Sequence, residues 1–153
     1  MQLIRSAHKE GTPSMKVGET FTGTAYIDPV FFSTDNGGCV CANVTFMPGA
    51  RTHWHTHEKG QILTVTAGMG LICSEGQEPT RLRVGDIVHI PGGEKHWHGA
   101  SSDTIMTHMA VALGGMEAQI ARWPLLDRSN MATGCEWHED VTQDEFEHAN
   151  KVA

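Results

Sequence analysis

The chain has 153 residues, 39% of them hydrophobic and 19% charged, with a formal net charge of -7. That length suits one domain with a buried core, and an acidic chain without a basic cluster is excluded as a partner of nucleic acid, which needs phosphate neutralisation. No apolar run is long enough to span a bilayer and MQLIRSAHKEG lacks a hydrophobic signal region, so no membrane association and a cytoplasmic location are expected.

In chain order, segments rich in Val, Ile, Thr and aromatics predict strands over 21–27, 39–46, 61–67, 69–74, 81–84, 87–90 and 104–113. Gly, Pro, Asn or Asp punctuates them, with Pro48-Gly49 and Pro91-Gly92-Gly93 as the clearest turns. Such spacing implies a closed or double-sheet all-β barrel, and no internal repeat divides it. Alternation is lost over 114–134, where 116–123 reads as one or two helical turns stopped by Pro124. Thr142 followed by Glu145 has the capping-box pattern of a helix start. Cys39, Cys41, Cys73 and Cys135 have no C-x-x-C spacing and read as buried thiols rather than a disulfide framework.

The chemistry concentrates in two segments. In GARTHWHTHEKGQILTVTAG, from Gly49 to Gly68, the two-residue spacing of His55 and His57 sends both to one face of a strand, and Gln61 returns to that face after the turn at Glu58-Lys59-Gly60. In GDIVHIPGGEKHWHGA, from Gly85 to Ala100, His96 and His98 repeat that spacing, and one imidazole from this strand completes a four-ligand metal site. A hydrogen-bonded core is the alternative reading of any one of these histidines. The set on this spacing favours metal.

These segments resemble the two motifs of the cupins. Gly49, His55, His57, Gln61 and Gly68 match the first, with Gln61 in place of the usual Glu. Gly85, Pro91, Gly93 and His96 match the second, with Ala100 in place of its Asn. The resemblance implies a single cupin domain over 1–153, a double-stranded β-helix or jelly-roll barrel with short N- and C-terminal extensions, its core at about 38–113 and 114–153 as the C-terminal extension. It also implies that His96 is the fourth ligand beside His55, His57 and Gln61.

Three imidazoles and one amide leave a divalent ion uncompensated by protein charge, so the centre attracts anions or lowers the pKa of a bound hydroxyl. Four ligands with room for two more favour six-coordinate manganese or iron over tetrahedral zinc, with zinc or nickel as further candidates. His98, on the face of His96, and His108, in a later alternating strand, are general-base candidates, with buried structural histidine as the alternative for each. His53 reads as a rim residue and His89 as outward; His8, His138 and His148 read as solvated.

A narrower resemblance runs through FTGTAYIDPVF, the first motif, GEKHWHGA, MTHMAV and EWHEDVTQDEF, and leaves out 114–134 as an insertion. The chain is similar there to small bacterial cupins that include the manganese-dependent hydroxynitrile lyases. It implies manganese on His55, His57, Gln61 and His96, with Thr52, His98 and His108 around the substrate. Ala112 stands where that pattern has a polar residue four positions after the last His. The expected function is thus a metal-dependent lyase splitting a cyanohydrin into aldehyde and cyanide, with His108 as the base and His98 orienting the substrate or donating a proton. A metal-dependent dioxygenase, an isomerase and a non-catalytic metal- or ligand-binding cupin are the alternatives. A small-molecule substrate and a homodimer or higher homo-oligomer are expected, with FFSTDN and the C-terminal tail as contact surfaces.

Overall fold

The computed structural model describes residues 14–33, 38–114 and 135–153. The fold there is all-β with one short helix, as the strand pattern implies. The strands are β1 (Met15–Lys16), β2 (Phe21–Thr22), β3 (Ala25–Ser33), β4 (Cys39–Phe46), β5 (Arg51–Thr52), β6 (His55–His57), β7 (Gln61–Ser74), β8 (Thr80–Arg83), β9 (Ile87–Ile90), β10 (His96–Ala100), β11 (Met106–Leu113) and β12 (Cys135–Trp137). Helix α1 (Gln143–Val152) follows. The helical turns expected over 116–123, residues 115–134 of the insertion expected at 114–134, His8 and residues 34–36 of the FFSTDN surface lie outside the described residues.

All strands join one curled sheet whose main path is β1-β3-β4-β11-β7-β10-β5-β2, with β12 reaching β10 through β6. The curl comes from β7. Its first half pairs with β11 and β9, and its second half with β10 and β8. Two separate strands were expected at 61–67 and 69–74, but the structure has one, bent at Gly68. There φ is +71°, and an added Cβ would overlap the Ile105 carbonyl oxygen, so glycine alone suits the bend.

Period two sorts side chains between the inner and outer faces. Val40, Ala42, Val44 and Phe46 of β4 and Met106, His108, Ala110 and Ala112 of β11 point inward and are buried, while their neighbours are half-buried. The main cluster includes Phe46, Leu63, Val65, Leu82, Ile90 and Met106. Each such side chain removed from water contributes about 1.5–3 kcal/mol.

A second cluster fixes the C-terminal helix. Phe146 and Ala149 of α1 pack with Trp54, Leu71, Trp97 and Val141. Arg51 donates from Nη2 to the Val141 carbonyl at 2.9 Å, and its guanidinium lies 4.4 Å from the Phe146 ring centroid. The expected capping box is present, with the Glu145 amide donating to Thr142 Oγ1 at 3.2 Å and the Thr142 amide to Glu145 Oε2 at 2.7 Å. Such a cap contributes about 1 kcal/mol.

Cys73 is buried, whereas Cys39, Cys41 and Cys135 are half-buried, and all four are free thiols. His89 and His148 are exposed, as expected, but His138 is half-buried, and its Nε2 is a buried atom without a hydrogen-bond partner among the described residues. The reason is that the chain around it is held to the barrel, its amide donating to the Trp54 carbonyl at 2.9 Å.

Candidate metal centre and its cavity

Three strands converge on one end of the barrel. β10 pairs with β6, placing His96 opposite His55, and His57 follows on the same face of β6. Ring centroids are 4.2 Å apart for His55 and His96, 5.2 Å for His55 and His57, and 5.8 Å for His57 and His96. Gly60, at a φ of +88°, reverses the chain between β6 and β7, and Gln61 opens β7 with its side chain buried toward the same cavity. The four side chains singled out as ligands therefore share one region.

Two of these rings have their tautomer set by the backbone. His55 Nδ1 donates to the His53 carbonyl at 2.9 Å and His96 Nδ1 to the Glu94 carbonyl at 2.8 Å. Each bond leaves Nε2 as a lone-pair donor, the arrangement that orients metal-bound histidine. His96 Nε2 and Gln61 Oε1 are buried without a hydrogen-bond partner among the described residues. Buried polar atoms rarely stay unsatisfied, so this donor set fits a metal. The half-buried His53, read as a rim residue, thus contributes its carbonyl to the site.

Burial pulls the His55 imidazole well below its usual range, and the nearby His96 and His57 deepen the shift against the His53 carbonyl. His96 is lowered as well, again chiefly by desolvation. Neutral imidazole is the metal-binding form.

His98 and His108 meet on the other side of His55. His98 pairs with Ile72 in the second half of β7 and His108 with Val65 in the first. The bend of β7 brings His108 Nε2 to 3.3 Å from His98 Nδ1. Both are buried, His98 held well below the usual histidine range by desolvation and by His108, and His108 lowered to about 4 by desolvation. Nitrogens of His55, His96 and His98 also lie within 4.8 Å of one another. Thr52 accepts the His98 amide at 3.1 Å through Oγ1, and so ties β5 to β10.

The cavity is about 100 Å³ and is lined by Thr52, His55, His57, Gln61, His98 and His108. Its other walls are mostly apolar, from Phe21, Ile27, Val40, Ala42, Val44, Ala110 and Ala112, with Lys16 at the edge. A polar end facing an apolar wall suits a small molecule with one polar and one apolar part.

Two lining residues escaped the reading of the sequence. β12 pairs with β6, setting Cys135 opposite His57 and Trp137 opposite His55. The Trp137 ring lies 4.8 Å from that of His55. Cys135 Sγ lies within 4.8 Å of ring nitrogens of His55 and His57, and burial pushes its thiol up to about 12. Only the alternation in Cys135-Glu136-Trp137 hinted at a strand there.

A family profile described as Cupin domain matches residues 42–112. The chain is 53% identical over 91 residues to an (R)-mandelonitrile lyase from Granulicella tundricola, covering 60% of this chain and 70% of that one. Among solved structures, a cupin-like protein from Thermotoga maritima is 31% identical with a TM-score of 0.72, over 95% of this chain and 100% of that one. A cupin 2 conserved barrel domain protein from Rhodopseudomonas palustris, 16% identical with a TM-score of 0.59 over 69% of this chain and 73% of its own, shares the fold.

Proposed function

The chain belongs to the cupin family, and from that premise we propose that it is a metal-dependent lyase of the hydroxynitrile lyase type, splitting a cyanohydrin into an aldehyde and hydrogen cyanide. The observation that carries this reading is the His108–His98 contact at 3.3 Å, which sets two neutral imidazoles against the cavity beside the candidate metal ligands. The similarity to a mandelonitrile lyase supports it.

His55, His57, Gln61 and His96 would hold one divalent transition metal, manganese first and iron next, whose charge stabilises oxyanion character on the substrate. His108 Nε2 takes the proton of the substrate hydroxyl, and His98 Nδ1 shares it across their contact. As the carbonyl forms, the carbon–carbon bond breaks and its electron pair leaves with cyanide. The pair of histidines then returns the proton to cyanide, which closes the balance. Thr52 keeps His98 in place through its amide, and the apolar wall takes the organic group and excludes water.

Ala112 favours a second reading. It is buried, lines the cavity and sits opposite Gln61, so the centre lacks one polar group of the lyase pattern. The same site would then serve a dioxygenase, an isomerase or a non-catalytic ligand-binding cupin. Release of benzaldehyde and cyanide from mandelonitrile by the manganese- or iron-loaded protein tests the first reading. No cleavage at full loading would reject it in favour of the second.

A further inference from the structure

Cys135 enters the cavity from a strand outside both histidine segments. Opposite His57 in the antiparallel pairing of β12 with β6, it shares a face with that ring as a cross-strand neighbour. Its Sγ and ring nitrogens of His55 and His57 lie within 4.8 Å of one another, a span that one ion can bridge. A second observation points to a ligand here: Gln61 also lines this cavity, is buried, and leaves its Oε1 without a hydrogen-bond partner among the described residues.

We propose that Cys135 is an additional ligand that engages thiophilic ions, so that this centre holds Zn²⁺ or Co²⁺ through His55, His57 and Cys135 and binds them more tightly than a centre of imidazoles and amide alone. The proposal rests on the metal-binding reading of His55 and His57. Two imidazoles and one thiolate form a soft, mixed donor set of the kind zinc and cobalt take, whereas manganese prefers harder oxygen donors. Coordination breaks the S–H bond, forms a sulfur–metal bond and releases one proton to solvent, with no change of oxidation state. Sulfur ligation also cancels one unit of the ion's charge, which weakens its hold on an anionic ligand. With Mn²⁺ present, Cys135 stays a thiol in the cavity wall.

The full chain, stripped with a chelator and titrated with Co²⁺, provides the test. A near-ultraviolet thiolate-to-cobalt band is expected in the parent and in Cys73→Ser, and is lost in Cys135→Ser and Cys135→Ala, which keep visible cobalt absorption from the histidines. Zn²⁺ affinity should fall about tenfold or more in the Cys135 variants, with Mn²⁺ affinity unchanged. Cobalt bound without that band, or a band indifferent to both Cys135 variants, overturns the proposal and leaves the metal site standing. Failure to bind either Co²⁺ or Mn²⁺ overturns both. Absence of the band in the parent overturns the proposal by itself, and a band that is present is assigned by whichever of the two Cys135 variants folds.

Discussion

His108 Nε2 faces His98 Nδ1 at 3.3 Å, although their strands are partners of opposite halves of β7. Two neutral imidazoles in contact behave as a unit. His108→Ala is expected to lower turnover of mandelonitrile by roughly two to four powers of ten, the range of a lost general base, with metal content retained. His98→Ala should do the same, and the double variant should cost little more than either single one, because the first removal already breaks the unit. Additive losses would show independent roles, and a lower melting temperature with unchanged turnover would make His108 structural.

The same burial predicts acid sensitivity of the metal-free protein. Burial lowers His108 to about 4 in the fold, against about 6.5 for an ordinary histidine, so on acidification the unfolded chain takes up its proton first. Stability is therefore full above about pH 6.5 and lost as pH falls toward 4, by as much as about 3 kcal/mol from this group. His55 and His98, also held low, act in the same direction. Urea unfolding at pH 7.5 and 4.5 should show a smaller difference for His108→Gln than for the parent, and an equal difference would refute the assignment.

The parity of His55 and His57, the inward position of His108 and the alternation of β4 and β11 were legible because they are local, set by a period of two along one strand. The continuity of β7 was not. Gly68 reads as a turn in the sequence, yet hydrogen bonds to β11 on one side and β10 on the other carry the strand through it. The His98–His108 contact depends on that bend, and Cys135 and Trp137 depend on a pairing with β6 across the length of the chain. Local periodicity carries no information about such partners.

Gly68→Ala tests the bend. A side chain at a φ of +71° is strained, and its overlap with the Ile105 carbonyl forces β7 and the loop before β11 apart. A loss of roughly 2 kcal/mol or more is expected, seen as a lower denaturant midpoint. The folded fraction should also lose turnover, because His98 and His108 register on different halves of the strand. A variant with parent stability would show that the bend needs no glycine.

Metal binding through His55, His57, Gln61 and His96 predicts one divalent ion per chain by elemental analysis. The double variant His55→Ala, His57→Ala should lose it, since it removes two donors, one of them oriented by the His53 carbonyl. Gln61→Glu should retain the ion while adding one negative charge beside it, so anionic ligands should bind more weakly. Unchanged metal in the double variant would remove the site from this end of the barrel.

Ala112 offers the sharpest test of the lyase reading itself. It is two inward steps beyond His108 on β11, opposite Val40 on one side and Gln61 on the other, and it lines the cavity. Ala112→Gln would put a hydrogen-bonding group within reach of a ligand there. The larger side chain crowds a packed wall and costs about 1–3 kcal/mol of stability, while the cavity of about 100 Å³ gives it room on one side. Turnover of mandelonitrile should rise in Ala112→Gln and not in Ala112→Leu, which adds similar bulk without polarity. Equal behaviour of the two variants, at matched metal content and folded fraction, would mean that the missing polar group does not limit this chemistry.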